Sequence, residues 1–232
     1  MKTIGLIGGM SWEFISLYYS AINQGVKQAL GGLHSAKICL YSLDFYEIEQ
    51  LQHQGEWQQT AHILAQAAQY VEAGGADLFL ICTNTMHKVA AQVQAAVTIP
   101  MLHIADATAQ VLLAHGISKV GLLGTAFTMQ QYFYKARLVK DFGIEVLVPN
   151  KAQQALVHQI IYQELCLGHI NPDSKQQYLD IIQHLKHQGA QAVILGCTEI
   201  ALLVQQEETQ VRLYDNTSIH AQSALVEALD LT

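Results

Sequence analysis

Charge is scarce in this chain of 232 residues: Asp, Glu, Lys and Arg together make up 13%. Disordered segments need the opposite balance, and with apolar residues at 51% a compact globular protein is expected. The twelve Lys and Arg are scattered under a net charge of −7, so there is no basic stripe for nucleic acid. No apolar run approaches the ~18 residues of a membrane helix. The apolar start, Ile4-Gly5-Leu6-Ile7, is too short for a signal h-region and has no cleavage site after it. Cysteine is also sparse: Cys39, Cys82, Cys166 and Cys197 lie far apart and form no CxxC pair. Free thiols in a reducing, cytoplasmic compartment are the expectation. None of the eleven histidines falls in an HExxH or other ligand spacing, so no metal is expected. The glycine-rich turn Gly8-Gly9-Met10-Ser11-Trp12 is not GxGxxG and no phosphate-binding lysine follows it, so no nucleotide or other cofactor is expected either.

What the chain does have is alternation. Short apolar runs at 3–8, 36–42, 76–82, 100–103, 119–123, 145–148, 190–195 and 211–214 read as strands. Helical patterns lie between them at 12–30, 56–73, 105–115, 128–142, 153–167, 174–188 and 218–229. Strands bounded by helices are βαβ units, and strands apolar almost throughout belong to parallel sheets covered on both faces.

An internal repeat sharpens this reading. Ile4-Gly5-Leu6-Ile7-Gly8-Gly9 resembles Val120-Gly121-Leu122-Leu123-Gly124-Thr125 at an offset of 116 residues. Gly75-Ala76-Asp77-Leu78-Phe79-Leu80-Ile81-Cys82-Thr83 resembles Gly189-Ala190-Gln191-Ala192-Val193-Ile194-Leu195-Gly196-Cys197 at an offset of 114. Two matches in the same order argue for duplication over two unrelated βαβ units of similar length. The fold class expected is therefore α/β: two pseudo-symmetric parallel-sheet domains with the active site in the cleft between them. The first domain is expected over 1–98 with 209–232 returning to it, the second over 99–208. Ligands of open α/β sheets bind beyond the carboxyl ends of the strands. The repeat thus makes Thr83 and Cys197 equivalent strand-end residues, a hydroxyl paired with a thiol.

Cys197 follows an apolar strand and precedes a helical pattern. Free backbone N–H groups and a helix dipole there lower a thiol's pKa and make a thiolate available near neutral pH. The competing reading is a small buried apolar residue, as most free cysteines are. Thr83 opens the polar run Thr83-Asn84-Thr85, which suits a ligand pocket; a helix N-cap at Thr83 or Thr85 explains the same residues. Cys82, one residue earlier, alternates to the other side and reads as core.

Ile4-Gly5-Leu6-Ile7-Gly8-Gly9-Met10-Ser11, Cys82-Thr83-Asn84-Thr85-Met86-His87 and Gly196-Cys197-Thr198-Glu199-Ile200, with their spacing, resemble the aspartate/glutamate racemases that work without pyridoxal phosphate. The resemblance spans nearly the whole chain. It is nearest to the subgroup specific for L-aspartate and L-glutamate, which carries threonine in place of the first catalytic cysteine. It implies a cofactor-independent homodimer acting on a small amino acid, with Thr83 and Cys197 as the catalytic pair. The chain departs from the usual two-cysteine pattern at Thr83. It also lacks the arginine and lysine that some aspartate racemases carry, the corresponding stretches reading Asp44-Phe45-Tyr46-Glu47 and Gly168-His169-Ile170-Asn171.

Racemisation needs a base on one face of the α-carbon and an acid on the other. Donors must meet the charge that develops on the α-carboxylate. Asn84, Thr85 and Thr198 are the candidates, with Met10, Ser11, Gln52, Thr125 and Thr128 completing the pocket. Glu199 either holds the substrate ammonium or orients Cys197; a solvated first-turn glutamate is the alternative. Cys197 is the better base and the resemblance assigns it the L enantiomer, leaving Thr83 as proton donor. Two other readings keep the fold: a single-cysteine decarboxylase of the arylmalonate type, and a non-catalytic amino-acid-binding regulator.

Overall fold

In the computed structural model, residues 1–197 and 199–231 are described, with Glu13 and Phe14 described in backbone only. The chain forms two compact units, Met1–Ile104 with His220–Thr232, and Ala105–Ile219. Each is built on a parallel sheet, as the unbroken apolar strands require.

The first unit contains β1 (Ile4–Gly8), α1 (Trp12–Leu30), β2 (Ile38–Ser42), α2 (Phe45–Gln54), α3 (Trp57–Ala73), β3 (Leu78–Ile81), a 3-10 turn at Thr85–Val89 and α4 (Ala90–Gln94). The strand order is β2-β1-β3, all parallel. Side-chain alternation sorts the core into two faces. Ile7, Phe79 and Ile81 pack with Leu64, Ala68 and Val71 of α3, whereas Ile4, Leu6 and Leu80 pack with Tyr18 and Ile22 of α1. Cys82 lies in the second cluster, buried, as its alternation suggested.

The second unit begins in α5 (Ile104–Ala114), then runs β4 (Lys119–Gly124), α6 (Ala126–Gln130), α7 (Tyr132–Phe142), β5 (Glu145–Leu147), α8 (Lys151–Gln163), α9 (Pro172–His187), β6 (Ala192–Gly196), α10 (Ile200–Leu203) and β7 (Arg212–Asp215). Its order is β5-β4-β6-β7, again parallel. The final helix, α11 (Asn216–Leu229), carries the chain back into the first unit.

The repeat is a packing repeat. A Cβ on Gly5 would lie 3.0 Å from Val71 Cγ2 and 3.1 Å from Phe79 Cβ. A Cβ on Gly121 would lie 2.8 Å from Leu185 Cδ1 and 3.1 Å from Val193 Cγ2. Val71 and Leu185, like Phe79 and Val193, are separated by 114 residues, the offset of the second strand motif. In both units, then, a glycine on the central strand lets one helix lie close against the sheet, since interiors are packed too densely to admit a methyl there.

Both joints between the units differ from expectation. Met101 bridges to Phe79, with Leu102 N donating to Phe79 O at 2.9 Å, so 99–104 belongs to the first unit. β7 pairs with β6 along its whole length, so 209–219 belongs to the second unit and only the chain from His220 returns. Two local differences follow the same logic. The 100–103 run makes a single bridge among the described residues, where a strand was expected. The unforeseen helix α2 is capped by Asp44, which accepts from Tyr46 N at 3.0 Å, and closes at Gly55 in the left-handed region.

Candidate active site

In the first unit the carboxyl ends of β1 and β3 are neighbours, Cys82 N donating to Ile7 O at 2.9 Å. The loop after β1 turns at Gly9, whose φ is 89°; a Cβ there would fall 2.1 Å from Leu43 O. Only glycine makes this turn against the end of β2. Met10 follows, buried in the α3-side cluster. Ser11 Oγ is buried with no hydrogen-bond partner, an unusual state for a hydroxyl and the one expected where a ligand's polar group belongs.

The loop after β3 carries Thr83, half-buried, then buried Asn84 and Thr85. Asn84 sits at the N-cap of the 3-10 turn without a side-chain capping bond, so neither Thr83 nor Thr85 serves as the cap. His87, inside the same turn, donates from Nδ1 to Thr83 O at 2.8 Å. Gln52 is buried on α2 at 3% exposure.

In the second unit Thr125 caps α6, its hydroxyl accepting from Thr128 N at 3.4 Å and lying 3.3 Å from Thr128 Oγ. Thr128 is wholly buried beneath the strand ends; a Cβ on Gly124 would sit 3.2 Å from its Cβ. These two threonines hold the end of β4 in place. Ala126 N donates to His158 Nδ1 at 3.2 Å, a support the motifs did not reveal.

Cys197 follows β6 and is partly buried. Its thiol donates to Glu199 Oε2 at 2.7 Å. The other oxygen, Oε1, lies 3.5 Å from the Cys166 thiol, which donates to it. Glu199 is 5% exposed, so it is neither a solvated surface glutamate nor remote from the sulfur. Cys166, read from the sequence as merely a free thiol, belongs to this cluster from the 3-10 turn Leu165–Leu167, 31 residues upstream of Cys197, a position no local motif marks.

The electrostatics of the site run against the expected acidification of Cys197. Burial first, and then the negative charge of Glu199, push the thiol well above its ordinary range. The helix behind it, α10, has only four residues, Ile200–Leu203, too few for a substantial dipole. Buried Tyr178 nearby is raised as well, by burial and then by the charges of Cys197 and Glu199. Burial and Glu199 thus favour the protonated form of the Cys197 thiol, the form that donates to Glu199 Oε2. Thr198 lies outside the described residues.

Each unit contains part of the expected set: Met10, Ser11, Thr83, Asn84 and Thr85 with Gln52 on α2 in one; Thr125, Thr128, Cys197 and Glu199 in the other. Among the described residues no group of three or more His, Cys, Asp and Glu is placed to hold a metal, and no helix is long and apolar enough to cross a membrane.

Comparison with known proteins gives a consistent result. The profile of the family described as Asp/Glu/Hydantoin racemase matches residues 7–224. The broad specificity amino-acid racemase RacX of Bacillus subtilis is 24% identical over 229 residues, covering 96% of both chains. A crystal structure of a provisionally assigned Asp/Glu racemase from Yersinia pestis superposes with a TM-score of 0.94 at 53% identity, covering 99% of this chain and 100% of that one. An aspartate racemase homologue from Pyrococcus horikoshii gives 0.84 at 33% identity, with 99% and 100% covered.

Proposed function

We propose, from the premise that the chain belongs to the Asp/Glu/hydantoin racemase family, that this amino-acid racemase inverts aspartate or glutamate by 1,1-proton transfer without a cofactor, with Cys197 as the L-side base and Thr83 serving the opposite face. The observation that carries this reading is the thiol–carboxylate pair, Cys197 Sγ donating to Glu199 Oε2 at 2.7 Å at the end of β6. Its repeat mate Thr83 stands at the matching strand end, 114 residues earlier.

The chemistry follows from the pair's electrostatics. A carboxylate beside a buried thiol keeps the proton on sulfur until positive charge arrives. The α-ammonium of an amino acid is such a charge. Bound beside the Cys197 sulfur, closer to it than to Glu199, it stabilises the thiolate, and the thiol proton passes to the carboxylate. The thiolate then removes the α-proton of the L-substrate, and the carbon electron pair spreads into the α-carboxylate. Asn84, Thr85 and Ser11 are the donors proposed to meet that charge, with preorganised backbone N–H groups of the two motif loops. Reprotonation from the other face passes through the Thr83 hydroxyl, which takes a proton from water as it gives its own, and the hydroxide left is neutralised, through solvent, by the proton held on Glu199. No alkoxide then forms on a poor acid. Met10, Gln52, Thr125 and Thr128 shape and support the pocket rather than exchange protons; Thr198 completes the donor set in this reading.

Incubating the protein with L-aspartate or L-glutamate and resolving the enantiomers by chiral chromatography tests this. Accumulation of the D form in the absence of any added cofactor is the expected result. Binding without D-product, or carbon dioxide release from a malonate, would overturn it.

A further inference from the structure

Three histidines of the first unit pack together in its interior, outside the residues assigned any role above. His87, His103 and His220 are 3%, 6% and 0% exposed. The rings of His87 and His103 lie 4.4 Å apart and those of His87 and His220 5.9 Å apart, both edge to face. The partners of His87 define its proton. Nδ1 faces a carbonyl, Thr83 O, at 2.8 Å, so Nδ1 carries the hydrogen. Nε2 accepts from Ile104 N at 3.3 Å, so Nε2 is bare. His220 is pinned in turn: Nε2 donates to Leu102 O at 2.8 Å and Nδ1 accepts from Tyr18 Oη at 2.9 Å.

These contacts join two places that matter. Ile104 is the last residue of the first unit before the chain crosses, and His220 is the first residue after it returns. His87 ties the outgoing crossing to the carbonyl of Thr83. Its own ring is wedged by His103, from the outgoing segment, and by His220, from the returning helix.

We propose that His87 is a positioning residue: by donating from Nδ1 to the Thr83 carbonyl while its Nε2 is anchored on Ile104, it holds the Thr83 loop in the orientation from which the hydroxyl serves the α-carbon. The proposal rests on the racemase reading given above. A neutral imidazole suits this task. It offers one donor and one acceptor on opposite edges of a rigid ring, and a loop threonine has no comparable support from regular secondary structure. Displacement by an ångström is enough to cost a large factor in a proton transfer.

The consequence is one-sided. The L-face step belongs to Cys197 in the other unit, whereas only delivery on the opposite face depends on Thr83. Loosening His87 therefore lowers inversion more than it lowers exchange. The readout is the fraction of D-enantiomer among α-deuterated molecules formed early from L-aspartate in deuterium oxide. His87→Asn keeps a donor at the Nδ1 position and is expected to retain the wild-type fraction. His87→Gln keeps a polar group at the Nε2 position and loses the donor; the fraction is expected to fall roughly tenfold. A merely structural role lowers thermal stability in both variants and leaves the fraction unchanged. An unchanged fraction in His87→Gln, or an equal fall in both variants, overturns the proposal. Should the variants fail to fold, nitrogen-15 shifts of the wild-type histidines decide: the proton of His87 is expected on Nδ1, and a proton on Nε2 rules the arrangement out. Failure of the racemase reading itself is visible separately, as the absence of D-product from the wild-type protein.

Discussion

Acidification offers a quantitative check on the histidine cluster. Burial, and then the neighbouring His87, lower the pKa of His220 from 6.5 to about 3. The folded state therefore keeps this ring neutral where the unfolded chain protonates it. The sign follows: between about pH 6.5 and 3 the unfolded state binds more protons, so stability is full above 6.5 and declines as pH falls. At 1.36 kcal/mol per unit, lowering the pH from about 7 to about 5 costs roughly 2 kcal/mol from this group alone. That is a sizeable share of a typical 5–15 kcal/mol total, roughly speaking. Other groups also titrate here, so a variant isolates the effect. His220→Gln keeps an amide near the Leu102 carbonyl and deprives Tyr18 of its acceptor, costing about 1–3 kcal/mol at neutral pH. It also removes the titration. Urea unfolding of both proteins near pH 7 and pH 5 should show the wild type losing about 2 kcal/mol more than the variant across that interval. Equal losses would refute the reasoning, because His220 would then be solvated or charged in the folded state.

Further outcomes follow from the strand ends. Glu199→Gln removes the acceptor of the Cys197 proton and should lower kcat by roughly 10²–10⁴ while leaving the thermal transition in place, checked by steady-state kinetics beside calorimetry. Thr83→Cys puts a competent acid and base on the second face. Both enantiomers should gain in kcat/KM together, since equal free energies of L- and D-substrate forbid a one-sided gain; initial rates followed by circular dichroism measure it. Gly121→Ala should cost about 1–3 kcal/mol, because the new methyl meets Leu185 Cδ1 at 2.8 Å. Leu185→Ala in the same background should return part of that loss in urea unfolding.

Much of the fold was legible because it is written in local pattern. The apolar runs that became β1, β3, β4 and β6 stand out against polar helices, and the repeat of Gly5 at Gly121 marks a real close approach in each sheet. Legibility ended where tertiary context decides. The 100–103 run looks like a strand, yet only Met101 bridges to the edge of β3. The 209–219 segment gives no sign of which sheet it joins, because pairing with β6 is a matter of register and not of composition. Helix α2 was readable in principle from its Asp44 cap and Gly55 end, but its faces are mixed and only Ile48, Leu51 and Gln52 are buried. At the candidate site, Cys197 and Thr83 were singled out by the repeat. The state of the thiol was not, since it depends on burial and on the orientation of Glu199, and the sequence alone suggested the opposite shift. Cys166 and the partners of His87 were invisible for the same reason: the residues meet only through the fold.

The central claim, that Cys197 and Thr83 act on opposite faces of one α-carbon, is tested most directly by proton NMR and chiral analysis of L-aspartate incubated in deuterium oxide with wild type, Cys197→Ser and Thr83→Ala. The wild type should yield α-deuterated D-aspartate. Cys197→Ser should yield neither exchange nor inversion, and Thr83→Ala should still exchange the α-proton while leaving the substrate L. D-aspartate formed at the wild-type rate by either variant would contradict the account.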